Sequence, residues 1–394
     1  MATRSDQLTT ILTTLEDPKW DRLTQPFPPG ELYNGFKVVW GQLLTVLDDW
    51  PDDEGLAGAV DAASAALEGS TAHLRLAPEM WWRGVIKRKG GDSLRVKRRG
   101  EKGHPALALV RSLELYDKRI TDKAARLLAA CPQLAGVARL GVSNNRLTAA
   151  GLEALLEAEW PLMTLSVSRN KLGDDGARAI AAATHLSGLT ELSAGDIGMG
   201  PAGAAALLAA PQLARLQTLV LIDNPMGDAG AIALAEATHL TRLWQLNLWG
   251  CQIGDEGAAA LGDAPHLINT RHIDLRDNLI SDEGAVALAT SPLLQSGIGR
   301  ALTLTGNLIG DAGAAALFEV LSGTSCRLND NKLGDGAVDA FLRSERLAHY
   351  TQLELNGNVD ISDAARDRLH EALLALHGGK LQRAGYTSWH VQQA

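Results

Sequence analysis

One pattern recurs ten times in this chain, about 27 residues apart: L-x-x-L-x-L-x-x-N-x-L-G-D-x-G-A-x-A-L. Its clearest copy is LTLTGNLIGDAGAAAL from Leu302, and others begin at Leu165, Leu219 and Leu246. A unit this short cannot bury its own apolar face. Neighbouring copies must therefore stack on one another as a solenoid. A solenoid presents a long surface rather than a deep pocket, which favours binding over chemistry.

Each column has a physical reading. The L-x-L pair has period two, so it predicts a short strand with two leucines turned inward. The Asn column runs through Asn145, Asn170, Asn224, Asn278, Asn307, Asn331 and Asn358, and breaks at Lys118, Ile197 and Cys251. An Asn side chain leaving a strand is expected to bond the backbone of the next coil, giving a ladder of amides through the core. A helix start follows, with Thr, Gly or Ser at the cap. The next position is Asp in eight of the ten copies, with Ala149 and Pro201 as exceptions. There the carboxylate suits the positive end of its own helix, and proline is tolerated because that N–H has no partner. An Ala-rich helix completes the unit.

Strand, Asn turn and capped helix at this spacing resemble the leucine-rich repeat family, and within it the ribonuclease-inhibitor-like class. The resemblance covers residues 110–376. It implies an α/β fold: a horseshoe-shaped solenoid with parallel strands on the concave face and helices on the convex face. It also implies a protein-binding role as scaffold, sensor or inhibitor, or, in one relative, GTPase activation. Residues 1–109 are expected to form a mainly α capping head that carries a β-hairpin, and residues 377–394 a C-terminal cap or partner-docking tail.

Strand residues alternating with the leucines should face the concave side, from Ser112, Glu114 and Tyr116 in the first copy onward. Most are small or polar. The middle differs. Val220, Ile222 and Trp249 put apolar groups there, and His272, Asp274 and Arg276 follow on the next rung. Exposed Trp and Arg are hot-spot types, so these residues and Tyr116 form the candidate partner site, against ordinary surface variation. Asp117, Asp196, Asp223, Asp277 and Asp330 line the adjoining loop column, which suggests a partner with a basic or mixed surface, against simple solubilising charge.

Charge is uneven along the chain. The net value is −9, yet Arg83 to Lys102 holds nine basic and two acidic residues. Within residues 81–103, Gly90-Gly91-Asp92 can turn a hairpin, with Lys87, Arg88, Lys89, Arg95, Lys97, Arg98 and Arg99 as a basic patch beside Trp81 and Trp82. Such a patch could bind nucleic acid or phosphate, the alternative function, or meet the protein's own acidic repeats. Leu32 to Leu47 and Gly55 to Glu68 read as two helices. The acidic turn between them lacks the spacing of a calcium loop.

No nucleophile constellation and no phosphate loop stands out, so neither catalysis nor a cofactor is expected. His185, His239 and His266 recur at one repeat position, where repetition explains them better than a metal. Three scattered cysteines fit a reducing cytoplasm. No apolar run is long enough to span a membrane, and the N-terminus lacks the features of a signal peptide. The regular Ala- and Gly-rich repeats point to a bacterial source.

Overall fold

A computed structural model describes residues 3–15, 30–48, 53–67, 86–89, 93–96, 108–296, 301–321, 325–350, 352–378, 381–383 and 388–391. These form two compact units, Met1–Lys171 with Ala183–Leu189, and Leu172–Ala182 with Thr190–Ala394.

The first unit opens with three helices: α1 (Arg4–Leu15), α2 (Gly30–Asp48) and α3 (Asp53–Ala66). Sequence reasoning anticipated the second and third. The first was passed over, although Leu8, Ile11, Leu12 and Leu15 stand at helical spacing and pack on one core. The helices share one core with Trp40, Leu43, Leu44, Leu47, Leu56 and Leu109, so the head closes over the residue just before the first repeat. β1 (Ile86–Lys89) and β2 (Ser93–Val96) pair antiparallel, with Lys89 opposite Ser93. The first repeats then place β3 (Ser112–Glu114), β4 (Arg139–Gly141) and β5 (Thr164–Ser166) side by side and parallel, with Leu113, Leu140 and Leu165 in one row.

The second unit continues the pattern with β6 (Glu191–Ser193), β7 (Thr218–Val220), β8 (Gln245–Asn247), β9 (His272–Asp274) and β10 (Ala301–Thr303). Leu219, Leu246, Ile273 and Leu302 are neighbours across consecutive strands. Each strand is followed by a helix whose Ala and Leu residues are buried, as in α-helices Gly227–Glu236 and Asp282–Thr290. The small alanines let successive helices pack closely. Later rungs replace them with aromatics: Phe318 stacks on Phe341 and Tyr350 at 4.1 and 4.4 Å.

Two ladders of side-chain hydrogen bonds hold the rungs together, the first buried and the second nearer the surface. The Asn column forms the first, but it points the other way from expectation. Asn278 Oδ1 accepts from the N–H groups of Cys251 and Ile253 at 3.1 and 2.9 Å, and its Nδ2 donates to the Leu248 carbonyl at 2.9 Å. All three partners belong to the preceding coil. Asn145, Asn224 and Asn358 reach back in the same manner. This direction explains Lys118: the first rung has no earlier coil to bond.

The Asp column forms the second ladder, and here too the partner is a neighbour. Asp255 Oδ1 accepts from the N–H groups of Ser281 and Gly284 at 2.7 and 2.9 Å, which are the cap and first-turn donors of the next helix. Asp228 and Asp282 repeat the arrangement. A carboxylate on one rung thus supplies the cap of the following rung. The repeated glycine follows from this geometry. A Cβ at Gly257 or Gly284 would stand 2.5 Å from the carboxylate oxygen of Asp228 or Asp255.

The C-terminal segment adds antiparallel strands to the last rung. β11 (Ser325–Arg327) pairs parallel with β12 (Gln352–Glu354). β14 (Ser388–Val391) then pairs antiparallel with β12, and β13 (Leu381–Arg383) pairs with β14. Trp389 is buried and its Nε1 donates to His370 Nδ1 at 3.1 Å. Tyr386, the other large aromatic of this segment, lies outside the described residues.

Candidate functional site

The strand register assembles the face. Leu219 and Leu221, Leu246 and Leu248, and Ile273 and Leu275 are buried, so the alternate residues turn outward. Pairing sets Val220 beside Asn247 and Asn247 beside Asp274, with Thr218, Gln245 and His272 in the row before them. Val220, Ile222 and Trp249 are partly exposed, and His272 and Asp277 are exposed. Gly195 was expected on this face but is buried, because the backbone and Cβ of Ile222 lie 3.1–3.3 Å from where its Cβ would stand.

One cluster is fully bonded within itself. Arg276 grips Asp274 with Nε at 2.9 and 3.0 Å and with a terminal nitrogen at 2.6 Å. The guanidinium carbon sits 4.8 Å from the centroid of the Trp249 ring, within cation–π range. Trp249 Nε1 donates to Asp277 Oδ2 at 2.6 Å, and the Trp249 backbone N–H to Asn247 Oδ1 at 3.1 Å. The hydrogen bonds to Asp274 raise the affinity of Arg276 for its proton still further. The four side chains make a stiff platform that needs no rearrangement to be covered.

A second aromatic group lies at the other end of these strands. Trp244 is 51% exposed and its ring centroid lies 4.4 Å from that of His272. Sequence reasoning passed over Trp244, because its parity matches the inward leucines. Its position one residue before the strand is what releases it from that alternation.

The loop column has a conformational cause. The residue before the Asn column is left-handed in every rung, as in Asp117 (φ 51), Asp196 (φ 50), Asp223 (φ 55), Asp277 (φ 51) and Asp330 (φ 54), with glycine at Gly250, Gly306 and Gly357. Asp, Asn and Gly are the types that tolerate this region, so backbone geometry alone accounts for the acidic residues there. Their charge remains exposed whatever its origin.

Tyr116 is 54% exposed and belongs to the first unit, whereas Val220, Ile222, Asp223, Trp249, His272, Asp274, Arg276 and Asp277 belong to the second. In the basic hairpin, Lys87, Arg88, Lys89 and Arg95 are described as strand backbone only, and Lys97, Arg98 and Arg99 lie outside the described residues. The thiols are poorly placed for nucleophilic work. Burial pushes Cys251 and Cys326 up to about 12. Cys251 instead fills an Asn position, its Sγ 3.2 Å from the Leu221 carbonyl of the coil before.

The family model described as "Leucine Rich repeat" matches residues 161–181, 215–235, 237–262 and 271–289. Among solved structures, an internalin from Listeria monocytogenes is similar at 17% identity and a TM-score of 0.38, over 74% of this chain and 90% of its own. A TDR receptor is similar at 17% identity and a TM-score of 0.34, over 64% of this chain, which spans only 40% of the receptor structure. No curated protein matches the sequence. No helix among the described residues is long and apolar enough to cross a membrane. Proteins built on such repeats generally bind other proteins. Ten copies in register, an amide ladder between coils and the matching family model identify leucine-rich repeats as the unit from which residues 110–376 are built.

Proposed function

We propose that the protein is a binding module, acting as scaffold, sensor or inhibitor, that holds a partner protein against Val220, Ile222, Trp249, Asp274 and Arg276. The observation that carries this reading is the pre-bonded Trp249–Arg276–Asp274–Asp277 platform on a face whose other residues are mostly small and polar. Trp and Arg dominate binding hot spots, and a platform already fixed loses little freedom when covered. Exposed Asp223 and Asp277 favour a partner with a basic or mixed surface. Full α-helices on the far side of the rungs support placement in the ribonuclease-inhibitor-like class, three buried free thiols fit a reducing cytoplasm, and the regular Ala- and Gly-rich repeats favour a bacterial source.

The test is capture of a partner from host lysate, followed by titration of that partner against the wild type and Trp249→Ala. The substitution is expected to weaken binding by more than about 2 kcal/mol, the size of a hot spot. Equal affinity would remove this face from consideration.

A second reading rests on the hairpin. Its register sets Lys87 directly opposite Arg95. Like charges across a strand pair repel, and an anionic partner such as nucleic acid would relieve the repulsion. Binding would then fall steeply with salt and disappear when Arg95, Lys97, Arg98 and Arg99 are neutralised.

A further inference from the structure

The platform continues into an apolar edge. Two residues beyond Asp277, Leu279 is 52% exposed, and its counterpart on the next rung, Leu308, is 44% exposed. Backbone bonds from Leu279 to Ile253 and from Leu308 to Ile280, at 2.7 and 2.8 Å, fix the two on consecutive rungs. Trp249, Leu279 and Leu308 therefore lie along the edge where the chain leaves the strands, a strip of large apolar groups that the described residues leave partly or fully exposed.

Carboxylates border this strip at a regular interval. The left-handed column reads Asp223, Gly250, Asp277, Gly306, Asp330, Gly357 on successive rungs. A continuous backbone ladder sets that order: Asp223 to Trp249, Gly250 to Arg276, Asp277 to Thr305, Gly306 to Asn329 and Asp330 to Asn356, all at 2.7–3.0 Å. The alternation has a steric cause. Each Asp carboxylate leans over the next rung, and a Cβ on Gly250, Gly306 or Gly357 would collide with it. Asp277 is held in place by Trp249 Nε1, which donates to its Oδ2. Neighbouring strands lie about 4.8 Å apart, so acids on alternate rungs recur about every 10 Å.

Two cations of the same face are matched, Arg276 with Asp274 and Arg327 with Glu354, at 2.6 and 3.5 Å, and exposed Lys332 ends the strip on the rung after Leu308. Asp223, Asp277 and Asp330 are all exposed; Arg276 is clasped by Asp274 and feels the charge of Asp277 only at longer range. The edge thus offers exposed negative charge beside an apolar strip.

We propose that this edge binds an extended segment of a partner polypeptide carrying Lys or Arg at every third residue, with apolar residues between. A polyproline-II segment rises about 3.1 Å per residue and turns once in three, so every third side chain returns to the same side about 9 Å on. That step matches the spacing of the carboxylates. A β-strand does not match it, because its same-face residues recur about every 6.7 Å. The cations meet Asp223, Asp277 and Asp330, and the residues between them cover Leu279 and Leu308. The inference deepens the protein-binding reading and rests on it.

The experiment uses the full chain and fluorescence anisotropy with two labelled peptides of identical composition. One carries a Lys-Pro-Leu repeat and the other has its lysines gathered in blocks. The repeat peptide is expected to bind at least about tenfold more tightly, which is about 1.4 kcal/mol. The triple variant Asp223→Asn, Asp277→Asn, Asp330→Asn is expected to lose that preference. Asn tolerates the left-handed backbone, so the rungs survive the change. Retained circular dichroism and thermal midpoint check that they do. Equal binding of both peptides would reduce the effect to general charge attraction and overturn the proposal, as would a triple variant that binds like the wild type. If no peptide binds while a captured partner still depends on Trp249, the extended-segment proposal falls and the face itself stands.

Discussion

Rungs that carry the buried Asn and rungs that lack it solve the same problem differently. Where Asn is present, its amide satisfies the turn of the coil before, and the residue after it keeps an ordinary right-handed or extended backbone. Lys118, Ile197 and Cys251 lack the amide, and each is followed by a left-handed residue: Arg119 (φ 55), Gly198 (φ 77) and Gln252 (φ 59). None of the seven Asn rungs shows this feature. The Asp ladder fails in step with it. Ala149 and Pro201 supply no carboxylate to the rung that follows. There Gly173 and Gly227 turn left-handed and send their N–H groups forward, to the carbonyls of Ile197 and Cys251 at 2.8 and 3.0 Å. A missing side-chain bond is replaced by a backbone bond, and the backbone twists to make it.

The largest test of this comparison removes an amide where the backbone has no substitute. Asn278→Ala would leave the N–H groups of Cys251 and Ile253 and the Leu248 carbonyl buried without partners. At about 1–3 kcal/mol for each orphaned group, the loss should be at least about 3 kcal/mol. Urea denaturation would report it as a lowered midpoint. Hydrogen exchange would locate it, with Cys251 and Ile253 losing protection first. A shift smaller than about 1 kcal/mol would mean that the turn can re-route as the Ile197 rung does.

A subtler test exploits opposite signs at one column. Gln252 is left-handed and follows Cys251, whereas Lys171 occupies the same column after Asn170 and is not left-handed. Relieving a left-handed non-glycine residue is worth about 1 kcal/mol, and adding glycine to an ordinary backbone costs about 0.5–1 kcal/mol. Gln252→Gly should therefore raise the thermal midpoint and Lys171→Gly should lower it. Two shifts of the same sign would show that the missing amide is not what sets the backbone.

Much of this was legible in the residue columns. Strand, turn and helix follow from the spacing of Leu, Asn and Asp, because each type suits only one local role. Bond direction was not legible. A column names the residue that bonds but not which neighbouring coil receives it, so Asn278 and Asp255 read equally well either way. The candidate site was legible in part. Trp249 and Arg276 stood out as large groups among small ones. The clasp of Trp249 on Asp277 depends on the sideways reach of two chains from adjacent rungs, which alternation alone does not specify. Asp223 and Asp277 read as charge, while their left-handed backbone showed only in three dimensions. Leu279 and Leu308 lay in a turn, where exposure has no period to betray it.

The smallest expected effect comes from the helix side of the Cys251 rung. His266 is buried, 8% exposed, and burial holds its pKa below the ordinary histidine value, with His239 on the previous rung adding to the effect and the Leu234 carbonyl opposing it. The folded chain therefore keeps His266 neutral at a pH where the unfolded chain, titrating near 6.5, takes up a proton. Stability should be level above that value and decline as pH falls below it, then level again once the folded pKa is passed. One proton sets the limit, so the slope cannot exceed about 1.4 kcal/mol per pH unit. The amide ladder does not titrate, so a decline that His266→Leu removes belongs to this histidine rather than to the missing Asn. Urea midpoints of wild type and His266→Leu between neutral and mildly acidic pH separate the two. The variant should lose less stability than the wild type on acidification, and parallel curves would place the acid sensitivity elsewhere in the fold.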